Sequence, residues 1–345
     1  MGKIRYGYCY GKTYREAKEK VSKIKAEQRF GQLQQSSGME SSFGTYCDEW
    51  LTIRKPGLKE ASWVKYETIL RRHIKPKLGS CSLRKITPGV VCEFTDELLQ
   101  QGLAEKTMKD IITVLRSVLK YAAKQVPGIC SSTDIICPRE TKKEMRVLSM
   151  EEQRRFADYL TTDMDACKFG ILLALVTGLR IGELCALRWD NILVQEEYIR
   201  VIYTMQRLKN TVETDTNRTR IVISSPKSDH SFRIVPMTEH TAELCRQMKP
   251  DWPDAYVLTG TTRFMEPRTL QNHLKRYTAA CGLEGVHFHT LRHTFATRCV
   301  EVGFEIKTLS EILGHSSTAI TLERYVHSSM ELKRSNMCKL SSVGW

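Results

Sequence analysis

No CxxC pair occurs in the 345 residues, although twelve cysteines are scattered singly from Cys9 to Cys338. That spacing offers neither a zinc ribbon nor a redox dithiol, and the thiols read as reduced and structural. Long apolar runs are missing too: the longest, Phe169 to Leu179, is too short to span a bilayer. The N-terminus lacks an apolar signal-peptide core, and Met1-Gly2 leads to Tyr6 where a myristoylation signal places Ser or Thr. A cytoplasmic location without membrane contact is expected. Proline and glycine are sparse, at 10 and 20 residues, and with 41% hydrophobic residues the chain is neither fibrous nor broadly disordered. The phosphate-cradling patterns GxxxxGKS and GxxxxGKT are absent. Acidic residues are in deficit: 39 Asp and Glu face 53 Lys and Arg, a formal charge of +14. Such an excess points to a polyanionic partner, nucleic acid being the commonest, without separating DNA from RNA. The length suits two or three domains.

What is present reads in three stretches. Lys3 to Tyr10 predicts a strand, and Thr13-x-x-Glu16 a capping box opening a charged helix to about Phe30. One strand and one helix cannot bury a core. The piece is therefore either the remnant of a domain whose earlier strands are missing or an arm that orders on DNA. A polar linker, Gly31 to Ser42, follows. From Phe43 to Gln125 the pattern is helical throughout. One helix carries Tyr46 and Trp50, a second Val64, Ile69 and Leu70, a third runs from Thr87-Pro88 to Gly102, and a fourth spaces Ile111, Leu115, Val118, Leu119 and Ala122. Between the second and third helices, RRHIKPKLGSCSLRK contains Arg71, Arg72, Lys75, Lys77, Arg84 and Lys85 and no acid. In isolation such a basic run is a solvated loop; in a chain of this charge it points to phosphate contact. After a Pro-containing crossover at Val126 to Arg146, Ser149-x-x-Glu152 caps a new helix. A buried helix (Phe169 to Thr177), a short helix after Gly178 and three strand-like runs (Tyr198 to Met205, Arg220 to Ser224, Phe232 to Met237) come next, and helical patterns resume at Glu239. The third stretch is thus mostly helical with one small antiparallel sheet.

Several residues could carry chemistry. Within FGILLALVTGLRIGELCAL the only charges are Arg180 and Glu183, placed three residues apart on one helical face. They read as a buried structural ion pair, or as a guanidinium held so that its fork takes a phosphate in two places. In HFHTLRHTFATRCVEVG, His289 and Arg292 lie one turn apart at a helix start, and His289 with His293 has the i, i+4 spacing of a zinc pair. No Glu base follows the first His and no third ligand is evident, so a metalloprotease reading is weak. Gly314 ends a helix, His315 follows it, and Tyr325 comes ten residues later. Lys227 sits in the turn SSPKSDHSF between two strands. Singly, these are a capping histidine, a packing aromatic and a solvated lysine.

Their joint order is more specific. TGLRIGE, a strand-turn Lys, HTLRH, LGH and a late Tyr, in that succession, resemble the tyrosine recombinases, the phage integrase family, and the whole chain is similar to an integrase of the conjugative-transposon type. SFGTYCDEWL resembles the opening of the family's core-binding domain, and GKTYREAKEK the end of its arm-binding domain. The resemblance implies a mainly α fold with a small antiparallel β-sheet. Its parts are a partial arm-binding remnant at 1–38, a helical, SAM-like core-binding domain at 39–140 and an α+β catalytic domain with a C-terminal tail at 141–345.

Carried over by position, the resemblance implies that Arg180, Lys227, His289, Arg292 and His315 surround a scissile phosphate that Tyr325 attacks, with Glu183 supporting Arg180. The reaction would need no metal and no cofactor. His289 would accept or relay the tyrosyl proton, Lys227 would protonate the leaving 5′ oxygen, and a 3′-phosphotyrosyl link would conserve bond energy. Implied partners are double-stranded DNA at element ends and target sites, three further protomers in a synaptic tetramer, and an accessory excision factor. The twenty residues after Tyr325 would form a tail helix docking on a neighbour or on its own subunit. Two other readings share the basic charge or the chemistry: an architectural DNA-binding protein, and a strand relaxer of the type IB topoisomerase kind.

Overall fold

Met108, Ile111, Ile112, Leu115, Val118, Leu119 and Ala122 recur at three- and four-residue intervals, and in the computed structural model they form the buried stripe of a 21-residue helix. Residues 42–126, 145–210, 218–225, 232–325 and 337–338 are described here. The expected strand and capping box before residue 31, the crossover at 127–144, the turn bearing Lys227, and the tail apart from 337–338 lie outside the described residues. The chain divides into two units, Met1–Lys142 and Lys143–Trp345.

The first unit is all helical: α1 (Phe43–Arg54), α2 (Glu60–Ile69), α3 (Lys75–Leu78), α4 (Pro88–Gln100) and α5 (Glu105–Gln125). Phe43, Cys47 and Trp50 of α1 pack with the α5 stripe in one core. Thr87 caps α4, its hydroxyl accepting from the Val90 amide at 3.4 Å, with Pro88 in the first turn. The basic segment after α2 is not the loop its composition predicts. Leu70, Ile74 and Leu78, four residues apart, are buried and keep the chain helical as far as Leu78. Leu70–Ile74 is a π turn in which the Lys75 amide donates to Leu70 O, five residues back. The wider turn falls just before Pro76, whose ring would otherwise press on the carbonyl four residues earlier.

In the second unit the apolar helix α7 (Ala166–Thr177) lies at the centre, buried on nearly every side because its sequence is apolar all round. Asp165 starts it, Oδ1 accepting from the Lys168 amide at 2.7 Å. Gly178 ends it at φ 68, where a Cβ would lie 2.6 Å from the Phe295 ring, so both backbone and space require glycine. Around it stand α6 (Met150–Thr161), α8 (Ile181–Ala186), α9 (Glu239–Met248), α10 (Pro267–Ala280) and α11 (Phe288–Glu301), followed by α12 (Ile306–Leu313) and α13 (Thr318–Tyr325). The capping box at α6 is present: Glu152 N donates to Ser149 Oγ at 3.1 Å and Ser149 N to Glu152 Oε2 at 2.8 Å.

The mainly α fold with small antiparallel sheets is the one expected, but among the described residues the strands form two sheets instead of one. β1 (Ile192–Leu193), β2 (Tyr198–Val201) and β5 (Arg233–Pro236) form one, in the order β1-β2-β5, and β3 (Thr204–Lys209) pairs with β4 (Thr219–Ser224) in the other. The run Tyr198 to Met205 breaks at Ile202-Tyr203, where the chain leaves β5 as partner and takes β4. Ile199, Val201, Met205 and Val235 all face the core.

Candidate active site

Arg180 has an extended backbone (φ −75, ψ 151) and stands at the N-cap of α8 instead of on a helical face with Glu183. Glu183 reaches back to it. Its Oε1 accepts from Arg180 Nη1 at 2.7 Å and Arg233 Nη1 at 2.9 Å, and its Oε2 from the Arg180 amide at 2.9 Å and Arg233 Nη2 at 2.8 Å. One carboxylate thus serves two guanidiniums, and the pair read in sequence is a triad. Burial alone would raise the Glu183 carboxyl; Arg233, Arg180 and the Arg180 amide outweigh it and hold the pKa at about 2.

The α11 start brings three more groups. Arg292 is 2% exposed, its Nη1 donating to Gly178 O at 2.8 Å and its Nη2 to Leu313 O at 2.5 Å. Burial, with Arg180 adding repulsion, pushes its guanidinium down to about 9, still charged at neutral pH. His289 opens to solvent one turn earlier, its pKa lowered by partial burial and then by Arg292, Arg180 and Arg324. His293, next to Arg292, is buried, and its Nδ1 lies 2.8 Å from the Tyr325 hydroxyl. Its ring centroid is 5.1 Å from that of His289 and 5.6 Å from that of Tyr325. Burial pushes the His293 ring down to about 4, with His289 and Arg324 assisting.

From the other side, Gly314 takes the left-handed conformation (φ 63) that ends α12, and His315 follows. The His315 ring stacks on Tyr325 at 6.3 Å and 3° between planes, and its Nδ1 is fixed 2.8 Å from Thr321 Oγ1. Burial, then Arg292 and Arg180, push it down to about 3. Tyr325 itself is 6% exposed; burial raises its pKa while Arg292, Arg324 and Arg180 oppose the rise.

The structure therefore gathers Arg180, Glu183, His289, Arg292, His315 and Tyr325, drawn from α8 and its N-cap, α11, the turn after α12, and α13. Lys227 lies outside the described residues. Two members were not foreseen. His293 stood out only as the second half of a zinc spacing, whereas its ring meets the phenol. Among the described residues no group of three or more His, Cys, Asp or Glu is placed to hold a metal. Arg233, 50 residues from Glu183, carries no local signal at all. The six basic residues belong to the first unit and are mostly exposed. Three are paired there: Arg71 with Glu67 at 3.0 Å, Lys75 with Asp48 at 2.6 Å and Lys77 with Glu97 at 2.7 Å.

By class the chain is a DNA strand transferase of the tyrosine recombinase kind. It belongs to the phage integrase family: residues 146–331 match that family, and residues 42–99 match the phage integrase N-terminal SAM-like domain. It is similar to a tyrosine recombinase XerC-like protein of Caldanaerobacter subterraneus subsp. tengcongensis, 27% identical over 94% of this chain and 89% of that one. It is also similar to the ICEBs1 integrase of Bacillus subtilis, 23% identical over 91% and 86%. In fold it matches the Tn1549 transposon integrase solved with transposon right end DNA, at a TM-score of 0.71 and 21% identity over 87% of this chain and 99% of that one. A lambda integrase tetramer on a Holliday junction matches at a TM-score of 0.60 and 18% identity, over 92% and 88%.

Proposed function

We propose that this protein is the integrase of a mobile element, cutting and rejoining double-stranded DNA at element ends and target sites through a 3′-phosphotyrosyl bond to Tyr325. The observation that carries the reading is a buried phenol that meets the imidazoles of His293 and His315 and lies in the field of the guanidiniums of Arg292 and Arg180. A phenol ionises near pH 10 in water, so it becomes a nucleophile at neutral pH only beside a base and a positive field. Attack of Tyr325 Oη on phosphorus forms the P–O(Tyr) bond as the P–O5′ bond breaks. Arg180 and Arg292 balance charge on the non-bridging oxygens, with His315 as a further donor. The tyrosyl proton passes to neutral His293, whose Nδ1 is already at 2.8 Å, and the relay role of His289 runs through it. Lys227 protonates the departing 5′ oxygen. Rejoining reverses these steps and needs neither nucleotide nor metal.

In this reading the active assembly is a homotetramer on two duplexes, an accessory excision factor biases direction, and the protein works in the bacterial cytoplasm. Among the described residues no helix is long and apolar enough to cross a membrane. The first unit forms a core-binding domain within 39–140, with Arg71, Arg72, Lys75, Lys77, Arg84 and Lys85 on the DNA backbone, and 141–345 is the catalytic domain. The test is a nicked suicide duplex carrying an element end. Wild-type protein should form a covalent adduct with EDTA present, and Tyr325→Phe should bind equally well and form none. Adducts from the Phe variant, or loss of the wild-type reaction in chelator, would refute the reading.

A further inference from the structure

Three consecutive carbonyls at the end of α12 each receive a different guanidinium. Ile312 O accepts from Arg233 Nε at 2.6 Å, Leu313 O from Arg292 Nη2 at 2.5 Å, and Gly314 O from Arg180 Nη2 at 2.9 Å. A helix end has carbonyls without intrahelical partners and about half a negative charge. The left-handed Gly314 turns the chain there, and the Gly314 and His315 amides bond back to Glu311 O and Ser310 O at 2.9 and 3.0 Å. Like charges that would repel one another are thus assembled on a template, with Glu183 as the counter-charge shared by two of them.

Arg180 and Arg292 have roles in the reaction proposed above, but Arg233 has none. Its side chain is only 5% exposed, less than that of Arg180 at 32%. It uses its whole fork internally: both Nη groups on the two oxygens of Glu183 and Nε on Ile312 O. A buried ion pair alone is weak grounds for stability, since well-packed apolar residues often serve as well. What only a guanidinium does here is hold the Glu183 plane and the α12 end in one rigid unit. Arg180 is then aimed by Glu183 on one side and Gly314 O on the other, and His315 is set by the same turn.

We propose that Arg233 is a positioning residue for strand transfer, orienting Arg180 through Glu183 on one side and through the α12 terminus on the other. The inference rests on the recombinase reading and deepens it. If Arg233 acts through Arg180, its loss matters where Arg180 has phosphate charge to neutralise and not where that charge is absent. A scissile methylphosphonate, in which CH3 replaces one non-bridging oxygen, is neutral and provides that contrast.

The experiment measures single-turnover adduct formation by the full chain on suicide duplexes with either a phosphodiester or a methylphosphonate at the cut. Arg233→Lys keeps the charge but cannot span both carboxylate oxygens and the carbonyl. It should slow phosphodiester cleavage about 10²-fold, the scale of a small misplacement of reacting groups. On methylphosphonate the deficit should shrink at least tenfold, as it should for Arg180→Ala, and the double variant should be no slower than Arg180→Ala alone. DNA affinity should stay within twofold of wild type. Equal deficits on the two substrates, multiplication of the two single effects, or a wild-type rate for Arg233→Lys would overturn the proposal. Arg233→Met, of similar length without a buried charge, gives the same comparison if the Lys variant does not fold. A wild-type protein that forms no adduct on either duplex would instead refute the recombinase reading itself.

Discussion

His293 shows how a single residue changes meaning once its partner is known. In sequence it is the second histidine of an i, i+4 pair; in the fold its Nδ1 faces the Tyr325 hydroxyl at 2.8 Å. A ring whose pKa burial has pushed down to about 4 is neutral at pH 7, the form able to accept a proton. His293→Gln retains a hydrogen bond to the phenol but accepts no proton, so adduct formation should slow about 10²-fold or more. Because that bond is kept, the unfolding free energy should change by less than ~1 kcal/mol, the net worth of one hydrogen bond. A Gln variant cleaving at the wild-type rate would place the proton acceptor elsewhere.

The same burial has a pH signature. His293 and His315 are held at about 4 and about 3 in the folded protein, against 6.5 when exposed. Depressed values mean that the unfolded chain binds more protons below pH 6.5. Their contribution to stability is therefore complete above 6.5 and is lost as pH falls toward 4 and then 3. Glu183, at about 2 against 4.5, adds a further loss below pH 4.5. The melting temperature should fall steadily between pH 7 and pH 4, and His315→Gln should flatten that fall. A profile level over this range, or one unchanged by the substitution, would contradict neutral buried histidines.

Among the elements, the α12 end has the greatest leverage. Gly314 at φ 63 is where a helix stops, three guanidiniums are received nearby, and His315 is delivered onto Tyr325. Gly314→Ala forces a Cβ into the left-handed region at about 1–2 kcal/mol. Adduct formation should suffer more than stability, because the three carbonyls and His315 turn together. Differential scanning calorimetry and single-turnover cleavage measured on the same preparation check this; a melting loss with an unchanged cleavage rate would sink it. The π turn at Leu70–Ile74 is a smaller case of the same logic. Pro76 and the buried row Leu70, Ile74 and Leu78 make incompatible demands on a regular helix, and the wider turn reconciles them.

The whole molecule carries +14, and the part of that charge available to a partner depends on internal pairing. Lys75 and Lys77 lie against Asp48 and Glu97 within the first unit, while Arg72 and Lys85 are exposed. Binding to duplex DNA should weaken steeply with salt. Arg72→Ala and Lys85→Ala should each lower the log-log slope by about 0.9 if each touches one phosphate, with equal effect on every DNA sequence. Lys75→Ala and Lys77→Ala should change the slope less, since each ammonium is already engaged by a carboxylate of its own unit. Titration of affinity against salt for the four variants checks this, and a slope identical to wild type in all four would remove the segment from the interface.

Much of the protein could be read along the chain because the deciding physics was local. The α5 stripe, the apolar α7, the Thr87 and Ser149 caps and the glycine stop after α7 depend on neighbours within a turn or two. The ordered motifs through Arg180, Arg292, His315 and Tyr325 were legible only jointly, through their resemblance to the tyrosine recombinases, since singly each has an ordinary structural reading. What the tertiary structure alone decided involves groups far apart in sequence. Arg233 meets Glu183 across 50 residues, and His293 meets Tyr325 across 32. The run from Tyr198 to Met205 becomes two strands because its partners lie in different sheets. The basic segment after α2 is helical as far as Leu78 because Leu70, Ile74 and Leu78 find a core to enter. Composition specifies which side chains are charged or apolar, but only packing decides which of them share a low-dielectric interior, and there a guanidinium must find its carboxylate or carbonyl.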